Sequence, residues 1–305
     1  MVKDKIDEGL SRRELIKLGL YGFLGTLIGG IVIPSSGTSE SRAFSQKYGE
    51  VVYQRDLHLP NHLYIVGQRH RIDHLKDAFG EELFKTLKRE STVIKKTPLA
   101  QVEIYRIIEF LIKNKDLGLI LQEGAFSEDD YSSLLRELKE SFGEERIRKL
   151  KKIDDKNLEK VLGFEDFPFT GSQLVSLSYN IGIQGPESKQ TYEFIIEITK
   201  KFIGRDATLI RRINDYMNEL RSAAVLANSP VVIEREHKLG RIKNRKAAIV
   251  IGNHHLDELI RFIDGDRIFI EGAPEANLDK VEGKLNLREK GYGVTVIRPK
   301  SLLEK

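Results

Sequence analysis

The sequence predicts an α/β fold: a mainly parallel sheet built from two βαβ-like halves, with a long helical insertion between them. Three observations lead there. Two apolar runs end in the same phrase, Leu63-Tyr64-Ile65-Val66-Gly67 before Gln68-Arg69-His70, and Ala247-Ala248-Ile249-Val250-Ile251-Gly252 before Asn253-His254-His255. A third run, Leu119-Ile120-Leu121-Gln122, stops at Glu123-Gly124, an ending echoed by Glu271-Gly272. Ahead of that third run, Thr97-Pro98 places a hydroxyl at a helix N-cap and proline at the first helical position. Val102, Ile104, Ile107, Ile108, Leu111 and Ile112 then recur close to helical spacing. Strand, helix and strand joined by short links form a βαβ unit, so the two strands are expected to be parallel.

The insertion is expected over about 129–240. Residues 129–162 are charge-rich, with Leu134, Leu135, Leu138, Phe142, Ile147 and Leu150 as the buried stripe of a helical stretch. An aromatic, irregular passage over 163–172 either packs beneath a loop or caps the site as a lid. Residues 181–185 suggest a short strand and turn, and 192–203 and 207–228 are helical, with Pro230 expected to kink or break the second helix. The chain closes with a strand at 247–251, a helix at 255–264 and strands at 267–270 and 294–297.

Composition narrows the function. The chain has 305 residues, 40% of them hydrophobic and 31% charged, enough for a sizeable globular core. A net charge of +4 spread over alternating signs lacks the clustered basic footprint of a nucleic-acid binder. The absence of cysteine removes disulfides, thiolate zinc sites, iron–sulfur clusters and a thiol nucleophile together.

Residues 1–45 read as an address. Ser11-Arg12-Arg13-Glu14-Leu15-Ile16-Lys17 precedes an uncharged, glycine-containing apolar segment over 18–34, the pattern of a twin-arginine export signal recognised by the Tat translocase. Ala43-Phe44-Ser45 suits signal peptidase, and cleavage there would start the mature domain, 46–305, at Gln46. Left uncleaved, the segment would anchor the protein in the membrane it crosses. Either way the domain is expected outside the cytoplasm.

Ligands of open parallel sheets collect at the carboxyl ends of the strands. His70, His255 and Glu123 are all delivered there, and two imidazoles with a carboxylate can hold a divalent metal (Mn, Zn, Co or Fe) with a position left open for water. Without metal, the same residues could act as a histidine base and its carboxylate partner. His74, His254 and Glu271 form a second tier of ligands, while His58, His62 and His237 are expected at the surface.

The paired strand–Gly-x-x-His motifs with a strand-terminal Glu-Gly between them resemble the TraB/PrgY/TIKI family, within the larger group that includes erythromycin esterases and haem-binding ChaN-like lipoproteins. The resemblance runs over about 62–300. It implies that His70, Glu123 and His255 bind or activate a catalytic water. Arg221, in Arg221-Ser222-Ala223-Ala224, looks like the family's helical arginine and would stabilise an anionic intermediate. The activity implied is hydrolysis of a peptide or ester, metal-dependent or histidine-based. The alternative is a non-catalytic haem or metal carrier, or a protein that sequesters a peptide.

Overall fold

The computed structural model describes residues 47–69, 97–129, 135–136, 139–140, 142–163, 169–193, 207–265 and 287–303; in the helix beginning at 207, side chains are described from 218. The export signal, the strand expected at 267–270 and most of the helix expected at 192–203 lie outside these residues. In chain order the elements are β1 (Gly49–Arg55), β2 (Asn61–Gln68), α1 (Thr97–Lys115), β3 (Leu119–Gln122), α2 (Glu144–Leu150), α3 (Asp155–Gly163), α4 (Gly171–Tyr179), β4 (Gly182–Gln184), α5 (Ala207–Lys238), β5 (Lys246–Gly252), α6 (Leu256–Asp264) and β6 (Tyr292–Pro299). Two short 3₁₀ turns, Asn253–His255 and Lys300–Leu302, follow β5 and β6.

The fold is α/β, as expected. Its six-stranded sheet runs β1-β6-β2-β5-β3-β4. β2 is parallel to both β5 and β6, β3 is parallel to both β5 and β4, and β1 alone is antiparallel, to β6. Successive residues of a strand point to opposite faces, and here both faces are covered. Tyr64, Val66, Ile120, Ala248 and Val250 pack with Ile104, Ile107 and Ile108 of α1 and Leu174 and Leu177 of α4. Leu63, Ile65, Leu119, Leu121, Ala247, Ile249 and Ile251 meet Val225, Val232 and Ile233 of α5 and Leu256, Leu259 and Phe262 of α6. Burial on both sides is why these strands read as unbroken apolar runs.

The connections matter more than the count. The helices that follow β2 and β3 lie on one face; α5 and α6, which precede and follow β5, lie on the other. Because β5 sits between β2 and β3, the chain leaves neighbouring carboxyl ends in opposite directions. That makes each flank of β5 a topological switch point, the place where ligands of open α/β sheets bind.

The short strand expected at 181–185 is β4, an edge strand beside β3. Other expectations change. α4 arises where no regular element was expected, started by a capping box in which Thr170 and Gln173 satisfy each other's backbone N–H groups. Pro230 does not end α5, which runs on to Lys238. Val225 and Leu226 before the proline and Val232 and Ile233 after it are all buried in one core. That packing outweighs the roughly 3 kcal/mol cost of an internal proline, and the Ser229 hydroxyl donates to the Val225 carbonyl at 2.7 Å. Among the described residues, no helix is long and apolar enough to cross a membrane.

His62, expected at the surface, is buried at the amino end of β2. It lies opposite Gly293, where a Cβ would stand 2.9 Å from the His62 Nδ1. Its Nε2 is 2.9 Å from the Thr295 hydroxyl. Burial, with Lys246 and Lys115 nearby, pushes its pKa down to about 4. The unfolded chain therefore binds this proton more readily, and the stability it confers is complete above pH 6.5 and lost as pH falls towards 4. Urea unfolding at pH 7 and pH 4 is expected to differ by about 3 kcal/mol through this residue, a component that His62→Phe removes. Gly67→Ala is expected to cost about 1–3 kcal/mol by overpacking. Its Cβ would meet the Leu256 Cδ1 at 2.8 Å and the Asn253 Oδ1 at 2.9 Å; the same urea titration at pH 7 measures it.

Candidate functional site

The two echoing motifs lie on hydrogen-bonded neighbours. Gly67 pairs with Ile251 and Gln68 with Gly252, so the repeated glycines are staggered by a single residue. Gly67 is required by space, since Leu256 and Asn253 crowd it. Gly252 has φ −48°, open to any residue, and leads straight into the 3₁₀ turn Asn253–His255.

Glu123 follows β3 directly and holds its place beside β5 by donating its N–H to the Val250 carbonyl at 3.0 Å. Its Oε2 accepts the Gly252 N–H at 2.5 Å. Its Oε1 lies 3.5 Å from the His255 Nε2 and 3.4 Å from the Arg221 Nη2. That same Arg221 nitrogen donates to the Glu187 Oε1 at 2.8 Å. Glu187 also takes the Gly124 N–H at 2.7 Å, which is possible because Gly124 turns with φ +83°, a conformation that favours glycine.

His255 sits on the 3₁₀ turn after β5 and is almost completely buried. Its Nδ1 lies 2.8 Å from the Ser222 Oγ and 3.2 Å from the Glu258 Oε2. The Ser222 hydroxyl is 2.7 Å from that Glu258 oxygen and 2.9 Å from the Asn218 carbonyl. A hydroxyl has one proton, so it donates to one of these two acceptors at a time.

The electrostatics follow from this arrangement. Burial alone would push His255 down, but hydrogen bonds to Glu123 and Glu258 outweigh it and raise its pKa to about 9. Burial would raise Glu258, yet His255 and Ser222 bring it below the ordinary carboxylate range. Burial also opposes the Arg221 cation, and Glu187 and Glu123 more than compensate. At neutral pH the cluster thus holds two cations, Arg221 and His255, threaded between Glu187, Glu123 and Glu258.

Glu123, His255 and Arg221, three residues distant in sequence, therefore meet. His254 is exposed and packs its ring on that of His255, with centroids 3.8 Å apart. His70, His74 and Glu271 lie outside the described residues. Sequence reading missed Glu187, Ser222 and Glu258. Glu258 carried a signal, three places after His255 and hence one helical turn away; Glu187 carried none, because only folding brings its segment against Gly124.

Of the expected metal ligands, His255 and Glu123 face each other, the His255 Nε2 3.5 Å from the Glu123 Oε1, a spacing that two ligands of one metal can share; His70, the third, lies outside the described residues. Among the described residues, no three His, Asp or Glu side chains are grouped as metal ligands. No family model, curated protein or solved structure matches the chain.

Because His255 gains a proton on folding, its contribution is complete below pH 6.5 and lost as pH rises through about 9. Its ring proton resonances are expected to titrate near pH 9 by NMR, and urea stability to fall by about 3 kcal/mol between pH 6.5 and 10. Glu258→Gln is expected to shift the midpoint down.

Proposed function

We propose that the chain is an exported hydrolase of a peptide or ester, with its site at the carboxyl end of β5. The observation that carries the reading is the meeting of Arg221 and the His255 imidazolium at the switch point of the sheet, held there by Glu123, Glu187 and Glu258. Hydrolysis of an acyl bond develops negative charge on the carbonyl oxygen, and fixed positive groups in a water-poor site stabilise it. Arg221 retains a buried Nε with no partner among the described residues, so it has a donor to offer.

The proton inventory assigns the roles. His255 is protonated at neutral pH, which suits a general acid that protonates the leaving group. Glu123 accepts from Gly252, His255 and Arg221 and is too well supplied with donors to be an effective base. The water therefore needs another base, and His70, two residues beyond β2, is the residue proposed for it. Export rests on the twin arginines of Ser11-Arg12-Arg13, with the Tat translocase as the partner in transit.

The purified full chain is to be assayed on p-nitrophenyl esters and on pooled fluorogenic peptides, alongside metal analysis by mass spectrometry. Turnover is expected in at least one pool, falling above pH 9 as His255 loses its proton. His70→Ala and Arg221→Lys are expected to lower it at least a hundredfold, with circular dichroism unchanged. Arg221→Lys keeps the charge and loses the guanidinium fork. A wild-type chain inert on both pools, with and without added Mn²⁺ or Zn²⁺, would overturn the reading.

A further inference from the structure

The chain is tightly held from its first described residue. Lys47 and Tyr48 stand in a helical turn, and β1 begins at the next position, the buried Gly49. A Cβ on Gly49 would lie 2.9 Å from the Ile107 Cδ1 and 3.0 Å from the Arg298 carbonyl oxygen, so the strand starts pressed between α1 and β6. Tyr48 packs against the core beneath α1 and donates its hydroxyl to the Asp155 Oδ2 at 2.9 Å. The Lys47 ammonium is 3.1 Å from the same oxygen and 4.5 Å from the centre of the Tyr48 ring.

Asp155, which opens α3, is itself fixed. Its Oδ1 accepts the Arg106 Nε at 2.8 Å, and Arg106 also donates to the Ile153 carbonyl and to the Glu109 Oε2. Burial would raise the Asp155 pKa, and Arg106, Lys47 and Tyr48 together bring it below the ordinary carboxylate range. One carboxylate thus ties Lys47 and Tyr48 to both α1 and α3. Chain ends are usually loose unless held in some such way.

The expected cleavage point lies close to this knot. Only Gln46 separates Ser45 from Lys47, and two extended residues reach no further than about 7 Å. A peptidase takes its substrate as an extended strand and needs backbone on both sides of the scissile bond. On the carboxyl side that backbone is already a helical turn bound to α1 and α3. The twin-arginine route carries its passenger folded, so the turn forms before the peptidase meets the chain.

We propose that the folded start of the domain shields the Ser45–Gln46 bond, so that the leader stays attached and its apolar segment, 18–34, anchors the protein in the membrane. The connecting residues, 35–46, span at most about 43 Å, which keeps the domain beside the bilayer surface. The inference rests on the export reading and is independent of the hydrolysis.

The test separates export from anchoring. The full chain with a C-terminal tag is expressed in a bacterium with an active Tat translocase. Loss of the tag to protease added to spheroplasts reports export, alkaline carbonate extraction reports anchoring, and N-terminal sequencing with intact mass reports cleavage. The tag is expected to be lost, and the undigested protein to stay in the membrane pellet with its leader attached. Inserting about ten Gly and Ser residues between Gln46 and Lys47 moves the bond up to roughly 33 Å from the fold. That insertion is expected to raise the cleaved, soluble fraction at least tenfold, with the new N-terminus at Gln46. A tag that stays protected would refute export and the anchor together. An exported wild-type chain that starts at Gln46, or anywhere beyond the apolar segment, would overturn the anchor and leave export standing. An insertion variant that stays uncleaved would overturn the shielding.

Discussion

A buried glutamate that captures a backbone N–H at a strand's end is the interaction on which the carboxyl edge of this sheet depends. Among the described residues it occurs three times. Glu123 takes the Gly252 N–H where β5 ends, and Glu187 takes the Gly124 N–H just past β3. Glu103, on α1, takes the Ser301 N–H at 2.9 Å and its hydroxyl at 2.6 Å, where the chain turns after β6. Past the last ladder bond a strand's amides need new partners, and water is scarce under covering helices. A carboxylate supplies them through strong, charge-assisted bonds.

Two of those glutamates also require cations, which organises the site. Desolvating a carboxylate is costly unless its charge is matched. Glu123 and Glu187 share Arg221, and Glu123 and Glu258 share His255. One ladder of alternating charges thereby ties β3, the Gly124 turn, α5 and the start of α6. The same contacts that fix the backbone hold a proton on His255 well above neutral pH. Architecture and acid–base character have one cause here, so neither can be altered without the other.

The amino edge shows the opposite logic. His62 is buried with a neutral hydroxyl for company and lysines beyond. It is held uncharged, whereas His255 is held charged. The difference between the two imidazoles is the presence of carboxylates within hydrogen-bonding reach, since both are buried.

Much of the frame was legible in the sequence because continuous apolar runs, a capped amphipathic helix and glycine punctuation are local signals. The βαβ start, β3, β5 and α6 all follow from such signals. α4 and the continuity of α5 past Pro230 did not: the first rests on a four-residue capping box, and the second on core contacts that override a local preference. Glu123, His255 and Arg221 were legible as candidates because each stands in a recognisable phrase. The sequence by itself determined strands β2 to β6, the chemical types at their ends and the parallel sense of the sheet's centre, but not β1, which pairs antiparallel to β6 at the edge. Only the tertiary structure decided that β5 inserts between β2 and β3, and hence that Glu123 lies against His255 and Arg221. Pairing order is set by how helices distribute over two faces, a property of the whole chain that no single stretch encodes.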